Sequence, residues 1–505
     1  MNSIIRLLLL GLLGSMLSPA ADAARRAAPP PPVVVAPSPP DPEAWRATAP
    51  APGPEPTWKV PAVRTFTLQN GVPVYFVANE GLPLVSVRLV LKVGREANPA
   101  DQAGLGALTV AAMREGTRSR TGAELAAEAA MLGATLDMGA GLEGVVVALD
   151  ALAGKALGPA LDLMADQVRN PRFDKADFAR VQANTIAGIE AAAADPRDLA
   201  GRATLYALFG ADHPYGRSST GTRESVGSIR RSDVKKFYKS WWGPQNLAVV
   251  VTGSVDEATL RTLLDERLGD WKPGKSIGGG AVPAPAVPLK PRVVFVEVPG
   301  AVQSVVRVVT PAMNRSHADF SAAYVEGMLV GGMFSSRINM NLREEQGWSY
   351  GAYGGFSESR DHGAFMVRTS VQADKTAPAV LEILKELKAA ADTAPTEAGL
   401  GLAKDNILKA LPGDFESNAG IAGVVSSIPT FGLPADHLVT WPASVSAVDS
   451  AAAAAAARRY FGADRLIIVV AGPRELTVGA ASVGVAAELK ALGFEYSELA
   501  TEQLR

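Results

Sequence analysis

Between Phe66 and Val77 apolar and polar residues alternate on both sides of Asn70-Gly71, the pattern of two strands folded back at a tight turn. Val85 to Val93 predicts a third strand, and the text that follows is helical to about residue 131. Gly144 to Ala148 predicts another strand, followed by an amphipathic helix from near Pro159. Gly210 to Gly216 has loop composition, Asp233 to Trp242 the spacing of a helix, and Leu247 to Gly253 the continuous apolar run of a strand buried on both faces. A Pro/Gly-rich stretch, 273–291, has the signature of a linker. Beyond it the pattern returns. Gly144-Val-Val-Val matches Gly363-Ala-Phe-Met, Pro159-Ala-Leu161 matches Pro378-Ala-Val380, and Leu247–Gly253 matches Leu466–Gly472, each at an offset of 219 residues. Three matches at one offset predict a duplicated α+β unit.

The second copy contains the most informative stretch, Leu329 to Tyr353. Leu329, Met333, Ile338 and Leu342 predict a helix, and Gly347 stands where a left-handed residue commonly ends one. Trp348 to Tyr353 is aromatic and predicts the start of a strand. Arg343 therefore falls in the last turns of a helix and Tyr350 on the strand leaving it, a corner that aims a guanidinium and a phenol in one direction. By themselves the two also read as a surface charge and a half-buried ring. The amphipathic run 377–391 (Val380, Leu384, Leu387, Ala391) is a core-packing helix.

With 505 residues the chain exceeds one compact core. Its net charge of −2 gives no reason to invoke nucleic acid. The first 23 residues read as a secretory signal, with Arg6, an apolar run Leu7–Leu17 too short to span a bilayer, and Ala21-Asp22-Ala23 as cleavage site. The expectation is an exported, soluble, periplasmic protein without membrane insertion. Residues 24–59 form a Pro-rich tether: 12 of the 36 prolines fall between 24 and 56. Domains are expected at 60–272 and 292–505. Zero cysteines exclude disulfides and thiolate ligands. The four histidines, His213, His317, His362 and His437, are dispersed. No Gly-x-Ser-x-Gly elbow or phosphate-binding Gly-rich loop accompanies them.

Leu342-Arg343-Glu-Glu-Gln-Gly347-Trp-Ser-Tyr350, preceded by Ser335-Ser-Arg337, resembles the second-half signature of the pitrilysin/insulinase metallopeptidases. The resemblance implies two tandem homologous α/β-sandwich domains, each an antiparallel sheet packed with helices, together half of a clam-like chamber. It also implies that Arg343 and Tyr350 reach a peptide held at a zinc site. In active members that site carries His-x-x-Glu-His within Gly-Leu-x-His-x-x-Glu-His-x-x-x-x-Gly-Thr. Here the frame reads Gly104-Leu105-Gly106-Ala107-Leu108-Thr109-Val110-Ala111, closing on Gly116-Thr117. Ala107 and Ala111 stand in the histidine places and Val110 in that of the general base. The distal ligand position falls at Ala187 or Gly188, with Glu190 two or three residues out of register. His213, in His-Pro-Tyr-Gly, belongs to a turn typical of the family and is not a ligand. The implied role is a zinc-lacking subunit: no cofactor in this chain, and zinc in a homologous partner with which it hydrolyses unstructured peptides. Arg343 would hold the substrate backbone and Tyr350 would stabilise the oxyanion in trans. The alternatives are a structural or peptide-binding member with no part in hydrolysis, and a single-chain peptidase, for which the ligands are missing.

Overall fold

In the computed structural model, residues 43–48, 50, 53, 58–276, 282, 283, 291–478 and 481–504 are described. The secretory signal, most of the Pro-rich tether and most of the linker lie outside them. Residues up to Thr57 form a unit of their own, with one described 3-10 turn, Ala44–Ala47. The rest, Trp58–Arg505, is a second unit.

That unit is built on two six-stranded sheets. The first contains β1 (Arg64–Thr67), β2 (Pro73–Ala78), β3 (Leu84–Leu91), β4 (Thr135–Ala140), β5 (Val145–Leu152) and β6 (Leu247–Gly253), in the order β1-β2-β6-β3-β5-β4. The second contains β7 (Arg292–Glu297), β8 (Gln303–Ala312), β9 (Ser349–Phe356), β10 (Gly363–Gln372) and β11 (Ile467–Gly472). After a small hairpin of β12 (Leu476–Val478) and β13 (Ala481–Val483), β14 (Glu495–Glu498) completes the order β14-β7-β11-β8-β10-β9. Both sheets are antiparallel except at β2/β6, β7/β11 and β7/β14.

The matching runs Leu247–Gly253 and Leu466–Gly472 thus occupy the same place in the two orders, and so do β5 and β10. The offset is not uniform. Arg88 pairs with Ala148 across β3/β5, and Arg307 with Arg368 across β8/β10. The first members of these pairs differ by 219 and the second by 220, so the ladder sets Gly144 one residue out of step with Gly363.

Side-chain alternation explains why β6 and β11 are apolar throughout. Leu247, Val249 and Val251 enter one core with the helices of the first half, while Ala248 and Val250 enter a different one. In β11, Ile468 and Val470 face the second half's own helices, while Ile467, Val469 and Ala471 face away from them. The far face of each sheet is covered by a helix from the other half. Helix Pro196–Phe209 packs Leu199, Ala203 and Ala207 against Val294, Val296 and Val469 of the second sheet. Helix Asn418–Phe431 packs Ile421, Val425 and Ile428 against Val77, Val90 and Val250 of the first.

The predicted hairpin is present, with β1 antiparallel to β2 around Asn70-Gly71. The single helix predicted over Leu329–Leu342 is not. Helix Phe320–Gly327 runs into a π-helical turn, Met328–Gly332, and the chain is extended at Met333 (φ −109°, ψ 162°) before helix resumes at Arg337. The apolar spacing survives because both pieces pack in the second half, yet the chain must pass very close to β9. A Cβ on Gly331 would lie 2.5 Å from the Gly354 nitrogen. The buried Asn339 secures the break by donating to the Phe334 carbonyl (2.7 Å) and accepting from the Ala352 N–H (3.0 Å).

Candidate functional site

The corner predicted to carry Arg343 and Tyr350 is formed. Met340–Glu345 makes a second π-helical turn, a form often found where function imposes a distortion. Gly347 then turns left-handed at φ 67°, and β9 begins at Ser349. Arg343 stacks over the Phe334 ring at 4.7 Å and pairs with the neighbouring Glu344 at 3.2 Å. Tyr350 is 92% exposed. Its aim comes from a β-bulge. Ser349 pairs with Val371 and Ala352 with Thr369, so Tyr350 and Gly351 together face the single residue Ser370. Hydroxyl groups satisfy the displaced backbone. The Ser349 hydroxyl accepts from the Gly351 N–H (3.0 Å), and the Thr369 hydroxyl reaches the Gly351 carbonyl (3.0 Å).

Ala107, Val110 and Ala111 lie on helix Leu105–Met113, with Val110 in the core. Ala107 borders a void of about 10 Å3, room for one water and far too little for an imidazole. Ala187 and Gly188 lie on the neighbouring helix Lys175–Ala192, where Glu190 pairs with Arg223. Methyl and isopropyl groups offer a zinc ion no donor, so these positions do not fit the metal.

His213 and Tyr215 belong to a buried network joining the two halves. The Tyr215 hydroxyl donates to Glu143 (2.5 Å) and lies 3.1 Å from Asp361. Burial, followed by the bond to Glu143, raises the phenol above its ordinary range. Arg360 donates its backbone N–H to Glu143 (2.7 Å) and its guanidinium to Glu96 (2.8 Å). His213 Nδ1 accepts from the Tyr215 N–H, so Nε2 carries the proton and donates to the Pro283 carbonyl at 2.6 Å. His362 Nε2 meets the adjacent carbonyl, Val282, at 2.5 Å. Nothing in the sequence pattern signalled this pairing of distant histidines across the linker.

Between the uncovered parts of the two sheets lies a cleft of about 1040 Å3, lined by residues of both halves. Tyr353 belongs to its wall; Arg343 and Tyr350 do not. The cleft carries Lys92, Arg95, Arg197, Arg202, Arg307 and Arg368, against the acids Glu143, Asp198 and Glu358. Sequence reasoning missed these residues, although Val305-Val-Arg307-Val-Val, an arginine inside a buried apolar run, is a visible signal.

The profile described as "Insulinase (Peptidase family M16)" matches residues 74–223, and the one described as "Peptidase M16 inactive domain" matches 228–407. Together they span more than half of the chain. The protein is a member of the insulinase family. Among its relatives is an uncharacterized zinc protease of Mycobacterium leprae, 29% identical over 68% of this chain and 76% of that protein. The crystal structure of a peptidase M16 inactive domain from Pseudomonas fluorescens is similar with a TM-score of 0.77 and 25% identity, over 83% of this chain and 99% of that one. The periplasmic protease PqqL of Escherichia coli shares the fold, with a TM-score of 0.69 and 14% identity over 83% of this chain but 46% of its own. Within the insulinase fold this chain therefore has the architecture without the first-half donor set.

Proposed function

We propose that this chain is the zinc-lacking subunit of an exported two-chain peptidase. In this reading a homologous partner holds zinc and supplies the activated water, and this chain contributes Arg343 and Tyr350 to the shared site. The exposure of Tyr350 carries the proposal. A large aromatic ring held in solvent by a hydroxyl-pinned bulge gains nothing for its own fold, and among the described residues its phenol has no hydrogen-bond partner. Such a group suits a ligand brought by another chain. Phe334, Met340 and Tyr353, from the same stretch, are also exposed, the composition expected of an interaction surface.

Arg343 would hydrogen-bond substrate carbonyls and fix the peptide's register. Tyr350 would donate to the scissile carbonyl oxygen as negative charge develops on it. Reconstitution with a zinc-bearing homologue from the same organism, followed by hydrolysis of an unstructured peptide, tests both roles. Tyr350→Phe should lower kcat by about 100-fold, the loss typical of one oxyanion donor, with KM little changed. Arg343→Ala should raise KM as well, because a backbone clamp holds the ground state too. Full activity with Tyr350→Phe refutes the role in trans.

A second reading, a peptide-binding member with no part in hydrolysis, is favoured by one observation. The cleft is walled by both halves, yet neither Arg343 nor Tyr350 lines it.

A further inference from the structure

The two sheets treat one arginine position, buried in the first and half-buried in the second, differently. Arg88 on β3 and Arg307 on β8 stand at matching rungs and face the side covered by the exchanged helix. Arg88 is buried and its charge is met: Asp150, two residues along β5 from its cross-strand partner, accepts from both terminal nitrogens at 3.0 and 3.3 Å. In the second sheet that acid has become Ser370, and the residue directly opposite Arg307 is a second arginine, Arg368. Like charges opposed across a ladder destabilise it.

The balance is restored only in part, by the charge of Asp198, which does not pair with Arg307. Arg307 donates to the Arg197 carbonyl at 3.0 Å and lies 3.8 Å from the Met366 sulfur, while its Nε has no partner among the described residues. Burial, and then Arg368, lowers its pKa. The acids of the cleft are committed elsewhere. Asp198 is bound by Arg202 at 2.6 Å, Glu358 by Arg315 at 2.8 Å, and Glu143 by Tyr215 and Arg360. Among the described residues neither Arg307 nor Arg368 forms an ion pair. Apolar side chains share the wall, including Val146, Val309 and Phe431.

We propose that Arg307 and Arg368 form a carboxylate subsite in the cleft, taking an acidic side chain or the C-terminal carboxylate of a bound peptide. An undercompensated charge with no ion-pair partner among the described residues is what a guanidinium pair built for a carboxylate requires, and the apolar wall suits the rest of the peptide. The inference rests on the reading that this protein binds peptides. It does not depend on hydrolysis or on a zinc-bearing partner.

The test uses the mature chain alone and four fluorescent versions of one unstructured peptide. The first contains glutamates and a free C-terminus, the second glutamines in their place, the third a C-terminal amide, and the fourth both changes. The wild type should bind the first about tenfold more tightly than the fourth, and high salt should narrow the gap. The second and third peptides identify which carboxylate is held. Arg307→Gln with Arg368→Gln should abolish the preference. Arg368→Gln alone, at an exposed position, should weaken the preference while raising Tm, since it removes a like charge. Equal binding of all four peptides by the wild type, binding of none, or a preference that survives the double substitution overturns the subsite. Failure of the reconstituted pair to hydrolyse peptide leaves the subsite standing and refutes only the catalytic reading.

Discussion

Burial turns individual side chains into measurable liabilities. Glu326 is 3% exposed, one of its carboxylate oxygens lacks a partner among the described residues, and burial raises its pKa to about 7. An unfolded glutamate releases its proton near the ordinary value, about 4.3, so the folded state holds that proton over a higher range. Stability from this group is therefore present at acid pH and lost as pH rises through about 7. Glu326→Gln should match the wild type's Tm near the acid end and exceed it above neutrality. His437 has the opposite slope. Burial first, then Arg315 at 2.9 Å, lowers it to about 4. Its contribution is present above about 6.5, the ordinary histidine value, and lost as pH falls through about 4. Denaturant melts of His437→Gln across acid pH should show a shallower loss than the wild type. A third liability is the Tyr215 hydroxyl. Tyr215→Phe should cost about 1–3 kcal/mol in urea titrations, because it leaves buried Glu143 short of a donor. The sequence gives little warning of any of these: His437 and Glu326 stand in ordinary helical text, and distant neighbours perturb them.

The elements themselves were legible where local chemistry decides them. Asn70-Gly71, the apolar runs of β6 and β11, and left-handed Gly347 all formed as their residues dictate. Legibility failed where tertiary contact overrides the local pattern. β4 went unseen because it is short and Asp137 and Gly139, poor strand formers, dilute the signal of its alternating Leu136, Met138 and Ala140, and the break at Met333 was hidden inside a helical spacing. The bulge at Tyr350-Gly351 is invisible for the same reason: it exists only when β10 supplies Ser370 opposite two residues. Arg343 and Tyr350 became candidates through resemblance, and only the bulge explains how the phenol reaches solvent. Thr369→Val tests that account. Removing the hydroxyl that reaches Gly351 should cost about 1 kcal/mol of stability, while partner-dependent peptide hydrolysis falls by a larger factor than that loss explains. Stability and activity changing in proportion would show that the bulge has no separate role.

Across the molecule, the two sheets repeat one order but close it differently. The first ends at β1, an antiparallel edge from the start of the domain; the second ends at β14, a parallel edge from its end. Repetition in sequence therefore reveals the shared strands and not the edges. Nor does it reveal that helices Pro196–Phe209 and Asn418–Phe431 each cover the other half's sheet. The proposed domains 60–272 and 292–505 are thus continuous in sequence, but each lacks the cover for one of its own faces. Ile421→Ala, a change in the second half, should expose apolar surface of the first sheet and cost about 2–4 kcal/mol by denaturant titration.

The exchange also bears on the order of synthesis. When β6 leaves the ribosome the first sheet has all its strands but one bare apolar face, and the helix that covers it, Asn418–Phe431, is made only after most of the second sheet's strands. The first half must wait, incompletely closed, for most of the second. Folding of the first half is thereby made conditional on synthesis of most of the second: a chain cut short before Asn418 would leave Val77, Val90 and Val250 without their cover.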